Sequence, residues 1–230
     1  MSRAPTHDFT AIELLVTNSL DQLPVFPLPN CVLLPGGLLP LHIFEPRYRA
    51  MAKACLAGNG VMGIARLMPG YGNAAQAQPA IYTTVGVGQI VCSEELADGR
   101  FMLLLRGIAR ASVQRELALT SDGYRQFCCQ QLLNEPAIPS SHELQRHQEL
   151  ITLCDQIAPY LADAGQQLCE LARTPCPGFA ADAVAAAITI DANDRQQMLE
   201  TAAVTTRLEI AIAALHDLLA QIEVSDSNLN

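Results

Sequence analysis

The stretch that decides the fold runs from Leu23 to Tyr48, LPVFPLPNCVLLPGGLLPLHIFEPRY. It carries six prolines and no charge before Glu45. Most proline-rich runs are polar and disordered, but this one is built from Leu, Val, Ile and Phe and therefore belongs inside. Proline lacks a backbone donor and is kept out of central strands. Apolar pieces punctuated by proline thus predict short strands joined by tight corners, as in a small irregular barrel. The strands are expected at Val25–Leu28, Cys31–Leu34 and Leu39–Ile43, with Pro29-Asn30 and Pro35-Gly36-Gly37 as the turns.

A helix follows. Pro46 suits a first helical position. Tyr48, Met51, Ala52, Cys55 and Leu56 then fall on one apolar stripe, with Gly58 at the close and Arg47, Arg49 and Lys53 on the solvated side. The segments FPL (26–28), LPG (34–36) and LPLHIFEPRYR (39–49) resemble the opening of the Lon N-terminal domain family, the substrate-binding module at the front of the Lon protease.

Downstream, Val61–Leu67 reads as a strand and Met68–Pro79 as a loop rich in Gly, Ala and Gln. Ile81–Glu95 is β-branched, and its Gly86 and Gly88 suggest a bulge or bend. Asp98-Gly99 signals a hairpin. Phe101–Leu105 returns, Gly107 is expected to bend the chain, Ile108–Leu117 continues, Ser121-Asp122-Gly123 turns, and Tyr124–Leu133 is the last strand. At Pro136–Pro139 the periodicity becomes helical. Ser140 and Glu143 form a capping box; Leu144, Ile151, Cys154, Ala158 and Leu161 are expected to form the apolar face, and Pro159 to kink or restart the helix. Pro175 and Pro177-Gly178 read as a loop, Phe179–Ile190 as a buried alanine-rich segment, Asp191–Glu200 as a short helix, and Ala203–Glu223 as a last helix with Leu208, Ala211, Ile212, Leu215, Leu219 and Ile222 inward.

Charge follows the same division. Residues 1–137 hold ten acids and ten bases, whereas residues 138–230 hold thirteen acids and four bases, a net of −9 that equals the charge of the whole chain. The expected organisation is an N-terminal extension (1–22, with a helical turn at Ala11–Val16), a β-rich subdomain (23–137), a helical subdomain (138–224) and a polar tail (225–230). The fold class is α+β: a β pseudo-barrel with one inserted helix, followed by a helical bundle. The family resemblance extends to residues 85–113, closing in Gly107-x-x-Arg110, and to residues 191–215. It implies a PUA-like first half, polypeptide substrates, and a module that elsewhere precedes an ATPase and a serine–lysine peptidase, or in cereblon-type proteins joins a ubiquitin-ligase receptor.

The residues exclude several chemistries. Lys53 is the sole lysine and Ala54-Cys55 follow it, so the G-x-x-x-x-G-K-[ST] loop that cradles phosphates is absent. No lysine is placed for a Ser–Lys dyad. The eight cysteines form no C-x-x-C pair; they read as reduced, mostly buried thiols. Cys169 and Cys176 with His142 or His147 are the remaining zinc candidates. A net negative charge disfavours nucleic acid; an RNA-binding PUA-like role needs Arg66, Arg100, Arg106, Arg110 and Arg115 to share one face. No secretory signal and no apolar span of 18 residues are seen, which implies a cytoplasmic location without a membrane.

The expectation is a stand-alone, non-catalytic, ATP-independent protein-binding module of protein quality control, with no cofactor and no metal. Its partners would be unfolded or partly folded polypeptides, with a protease, a chaperone or a second copy of the chain as further candidates. Leu38, Leu39, His42, Phe44, Met68 and Tyr71 are the expected peptide-binding residues, in a groove between sheet and helices or beside the Met68–Pro79 loop. His42 is otherwise a core or edge histidine with a satisfied hydrogen bond. Glu45, Arg47, Arg106, Gly107 and Arg110 are expected in structural or partner contacts, the arginines bracing a loop or pairing with an acid such as Glu45.

Overall fold

The computed structural model describes residues 9–70, 78–188 and 191–227. Among them are six strands and seven α-helices: α1 (Phe9–Thr17), β1 (Leu23–Leu28), β2 (Leu38–Ile43), α2 (Pro46–Ala57), β3 (Val61–Arg66), β4 (Thr84–Glu95), β5 (Phe101–Glu116), β6 (Arg125–Gln131), α3 (Ser141–Ile157), α4 (Asp163–Ala172), α5 (Pro177–Ala187), α6 (Ala192–Glu200) and α7 (Val204–Ser227). The strands run in the order β2-β5-β4-β3-β1-β6, and β6 pairs back onto β5. Five strands thus close a ring, and β2 extends it beside the first half of β5. Only β1–β3 is parallel. The α+β class with a closed β part and one inserted helix is what the sequence implies.

The prolines of β1 are tolerated because each of its edges is used over part of its length. Pro24 pairs with Gln126 of β6 alone, and Pro27 with Ala65 of β3 alone, so each proline has one side that needs no donor. Helix α2 forms as read: Glu45 precedes it with its side chain on Arg47, Pro46 opens it, and Tyr48, Met51, Ala52 and Cys55 are buried. Leu56, expected on that stripe, is exposed instead.

Cys31–Leu34 is not a strand. It crosses the face of β4 and β5 as irregular chain, and the glycines expected to bend those strands explain how. A Cβ at Gly86 would collide with the Leu33 carbonyl, one at Gly107 with the Leu34 carbonyl, and one at Gly88 would lie 2.7 Å from the Leu33 side chain. Gly107 also accepts from Gly36 N (2.9 Å) and donates to Gly37 O (2.8 Å). β5 continues through Gly107 for 16 residues, but its ladder carries a bulge there, with Ile108 unpaired between the pairs Gly88–Gly107 and Val87–Ala109, and a bulge bends the strand that carries it. Leu33 then joins the core between the outer face of the sheet and α2, while Val32 and Leu34 enter the helical core. The same approach continues at α5, where a Cβ on Gly36 (φ +81°) would lie 2.6 Å from the Ala183 side chain.

In the helical half, the Ser140–Glu143 capping box is present, and Thr205 Oγ1 of α7 donates to Glu143 at 3.1 Å. The buried face of α3 is Glu143, His147, Leu150, Leu153, Cys154 and Ile157; of the expected face, Cys154 is buried and Ile151 and Leu161 pack against the same core, whereas Leu144 is exposed. Pro159 does interrupt the run, with a 3-10 turn before α4. Pro177 and Gly178 are the first turn of α5 rather than a loop. Leu208, Ala211, Ile212 and Leu215 of α7 are buried, with Leu219 and Ile222 packed behind them.

Because the Leu33 carbonyl fills the space over Gly86, Gly86→Ala is expected to destabilise the protein by about 2–3 kcal/mol through overpacking. A urea denaturation midpoint close to that of the parent would show that the crossing is loosely packed.

Candidate functional site

Two groups of residues stand out, one buried and one exposed. The buried group joins the barrel to the helices. Asp182 of α5 (2% exposed) receives the guanidinium of Arg110 from β5 and that of Arg207 from α7, the latter at 2.5 Å. Arg110 also donates to the carbonyls of Met198 and Thr201, both at 2.9 Å. Arg207, wholly buried, also donates to Gly178 O (3.0 Å) and to Asn134 Oδ1. Gly178 makes room for this: a Cβ there would lie 2.8 Å from an Arg207 nitrogen. Burial pushes the Arg207 guanidinium below its ordinary pKa, and Asp182 opposes that shift. Carbonyl acceptors spread the excess positive charge, which is what makes two buried arginines tolerable beside one acid. Arg66 repeats the pattern on α6, donating to Ala192 O and Asn193 Oδ1 at 2.8 Å.

The acid that pairs with Arg110 is Asp182; Glu45 pairs with Arg47 instead, at 2.9 Å. Arg106 is half-buried on the β2–β5 ladder opposite Leu38. With Arg66 and Arg110 buried against helices, the five arginines required for a basic face do not share one. Arg207 and Asp182 were missed, although each carried a signal: a lone acid inside an alanine run, and an arginine inside an apolar helical stripe.

Among the described residues the thiols and imidazoles form no reactive pair. Burial pushes Cys55, Cys129 and Cys154 up to about 12, so these thiols are protonated and weak nucleophiles. His147 Nε2 lies 2.7 Å from Ala172 O, and Cys176 Sγ accepts from Asn134 at 3.7 Å. Among the described residues no three His, Cys, Asp or Glu side chains are placed to hold a metal.

The exposed group lies on β2. Leu38 (50% exposed), Pro40, His42 and Phe44 (60%) point outward from its exposed face, while Leu41 and Ile43 are buried. The His42 and Phe44 rings are 5.9 Å apart. His42 is thus neither a core residue nor a hydrogen-bonded edge histidine. Across the ladder, Leu104 and the exposed Met102 stand opposite Pro40 and His42, continuing an apolar surface. Leu39 turns the other way and packs against the core between the sheet and α2. At the Leu38 end, a cavity of about 220 Å³ opens between Gly36–Leu38 and the helices α4 and α5, lined by Leu161, Leu168, Leu171 and Ile188. Met68 is exposed but lies past the far end of β3. Leu38 stands opposite Arg106 and the start of β4 opposite Ser112, a separation of about 20 Å along β5. Tyr71 lies outside the described residues.

Residues 22–217 match the family model of the ATP-dependent protease La (LON) substrate-binding domain. A Lon protease of Roseiflexus castenholzii is 31% identical over 203 residues, which span 85% of this chain and 24% of that protein. One of Anaeromyxobacter dehalogenans is 24% identical over 84% of this chain and 23% of its own length; the chain thus spans about a quarter of the curated relatives it matches. The fold is similar to the N-terminal domain of the Mycobacterium avium complex Lon protease (TM-score 0.65, 21% identity, 85% of this chain and 98% of that one). It is also similar to a Lon N-terminal domain protein from Xanthomonas campestris (TM-score 0.60, 23% identity, 84% and 97%).

Asp182→Ala would leave two guanidiniums buried without their acid, with an expected loss of about 3–5 kcal/mol; chemical denaturation should show a smaller loss for Arg207→Met. At pH 8, Cys55, Cys129 and Cys154 are expected to resist alkylation in the native protein and to react after unfolding, whereas the exposed Cys92 reacts at once. Mass spectrometry of the alkylated sites checks this.

Proposed function

The chain belongs to the Lon substrate-binding domain family, and from that premise we propose that it is a non-catalytic, ATP-independent module that holds non-native polypeptides for protein quality control. The observation that carries this reading is the outward apolar face of β2 and β5. Large apolar side chains left in water on one strand face are what an unfolded segment, with its own apolar side chains exposed, is suited to cover. The family description supplies the class of ligand, a protein substrate. The site supplies no competing chemistry: its only titratable side chain within Leu38–Phe44 is His42.

The binding residues in this reading are Leu38, His42 and Phe44, extended by Met102 and Leu104. Leu39 supports the strand from inside, and Met68, with Tyr71 beyond it in sequence, would serve a second surface. Glu45 and Arg47, paired with each other and with Arg47 stacked 4.5 Å over Tyr48, hold the corner where β2 turns into α2. Recruitment of clients to a protease or chaperone fits a module of this size. Eight free thiols suit the reducing cytoplasm, and no helix among the described residues is long and apolar enough to cross a membrane.

The test uses reduced, carboxymethylated α-lactalbumin, which is permanently unfolded, labelled for fluorescence anisotropy without nucleotide. It should bind, and its native, calcium-loaded form should not. Leu38→Ser and Phe44→Ser should each weaken binding about ten-fold, since covering one such side chain is worth about 1.5–3 kcal/mol. Equal affinity of native and unfolded forms would reject the reading.

A further inference from the structure

The exposed face of β2 has an unpaired backbone edge beside it, and the two together specify how a polypeptide would be held. Gly107 exchanges hydrogen bonds with Gly36 N and Gly37 O. Antiparallel ladders alternate, so Leu39, Leu41 and Ile43, paired with Leu105, Leu103 and Phe101, direct their backbone groups at β5. Leu38, Pro40 and His42 direct theirs away. Pro40 agrees with this assignment, because a proline in a paired strand must turn its missing donor outward. β2 is terminal in the sheet, and among the described residues no hydrogen bond is made along its outer side. That edge therefore offers the N–H groups of Leu38 and His42 and the carbonyls of Leu38, Pro40 and His42. The run Leu38–Phe44 contains no Lys, Arg, Asp or Glu. Bare edges of this kind are ordinarily blocked by charge or cover; here Pro40 is the one blocking device.

We propose that β2 captures polypeptide by strand addition: an extended, uncharged-to-basic apolar segment pairs with the Leu38–His42 edge and places one large apolar side chain in the cavity at its Leu38 end. This rests on the polypeptide-binding reading and specifies its geometry. The cavity fits the assignment in size and lining. An apolar cavity of about 150 Å³ accepts a benzene-sized ring, and this one, at about 220 Å³ with Gln167 as its one polar side chain, accommodates a Leu or Phe side chain. The preference against acidic segments follows from α4, the helix that walls the cavity, whose exposed charges are Asp163 and Glu170. A second copy of the chain is a poorer occupant. In a two-fold β2–β2 pairing centred on Pro40, the central rung would hold two acceptors and no donor, whereas a client supplies the donor that the Pro40 carbonyl lacks.

The experiment is anisotropy of the 230-residue protein with a fluorescein-labelled ten-residue peptide of alternating Leu and Thr flanked by Lys. Two versions N-methylated on alternate backbone amides, one for each edge, retain every side chain but lose one row of donors. The parent peptide should bind, one methylated version should weaken about ten-fold or more through loss of successive hydrogen bonds, and the other should stay within about two-fold. His42→Pro deletes an outward donor without touching the ladder to β5 and should weaken the parent peptide about five-fold; Pro40→Ala restores a donor and should tighten it by a similar factor. Circular dichroism verifies that both variants fold.

If both methylated peptides bind like the parent while carboxymethylated α-lactalbumin still binds, strand addition is wrong and side-chain capture stands. If neither the peptide nor the unfolded protein binds, both readings fall. A protein dimer in sedimentation velocity that His42→Pro abolishes assigns the edge to a second copy and overturns the proposal.

Discussion

The passage of residues 31–37 across β4 and β5 is the constraint on which the remaining architecture depends. Backbone carbonyls can lie directly on a sheet only where the sheet has no side chain, and Gly86 and Gly107 provide those positions under Leu33 and Leu34. The crossing lets one short segment feed two cores, with Leu33 turned into the core that the sheet shares with α2 and Val32 and Leu34 into the helices. It also delivers Gly36 against Ala183, so the packing distance of α5 is set by contacts between small residues. The start of β2 is then fixed through Gly37 and Gly107, and the cavity beside Leu38 is the space left between this loop and the helices.

The same region explains why the barrel and helices meet through ions as well as apolar surface. A packed apolar seam is tolerant of sliding; directional hydrogen bonds are not. Arg110 reaches from the sheet to α5 and to the last turn of α6, and Arg207 reaches from α7 to α5 and to Asn134, so one carboxylate orients three helices against β5. Buried ion clusters contribute little net stability compared with apolar replacements. Their effect here is geometric: they hold the helices where they form the far wall of the cavity, so their disruption would reach the β2 surface without touching it.

Much of this was readable from sequence where the determining interactions are local. Helix α2, the capping box at Ser140, the hairpin at Asp98-Gly99 and the break at Pro159 all follow from residues within one or two turns. The failures share a cause. Cys31–Leu34 has the composition of a buried strand because it is buried, but what covers it is a sheet 50 or more residues away in sequence, and only the glycines at 86, 88 and 107 could have hinted at it. The start of the α3 face was misplaced because Glu143 and His147, polar by type, are buried by bonds to Ser140, Thr205 and Ala172. For the surface, Leu38, His42 and Phe44 were named together with Leu39 from the proline-rich corner, without the alternation that turns Leu39 inward. The separation of Met68 from them was not legible, because it depends on the β3–β4–β5 register.

An exposed edge with apolar neighbours is a hazard as much as a binding surface, and Pro40 addresses both sides of that problem. Removing the central donor leaves the Leu38 and His42 donors two residues away on either side, so an added strand is bonded at its ends and slack in the middle. Uninterrupted pairing with a second identical edge would propagate; pairing with a gap is weak enough to reverse. A module that must release what it holds needs that reversibility, and it follows from one ring closure in the backbone. The cavity beside Leu38 then supplies the selectivity that a weakened ladder lacks, since only a segment with a large apolar side chain in register gains the contact.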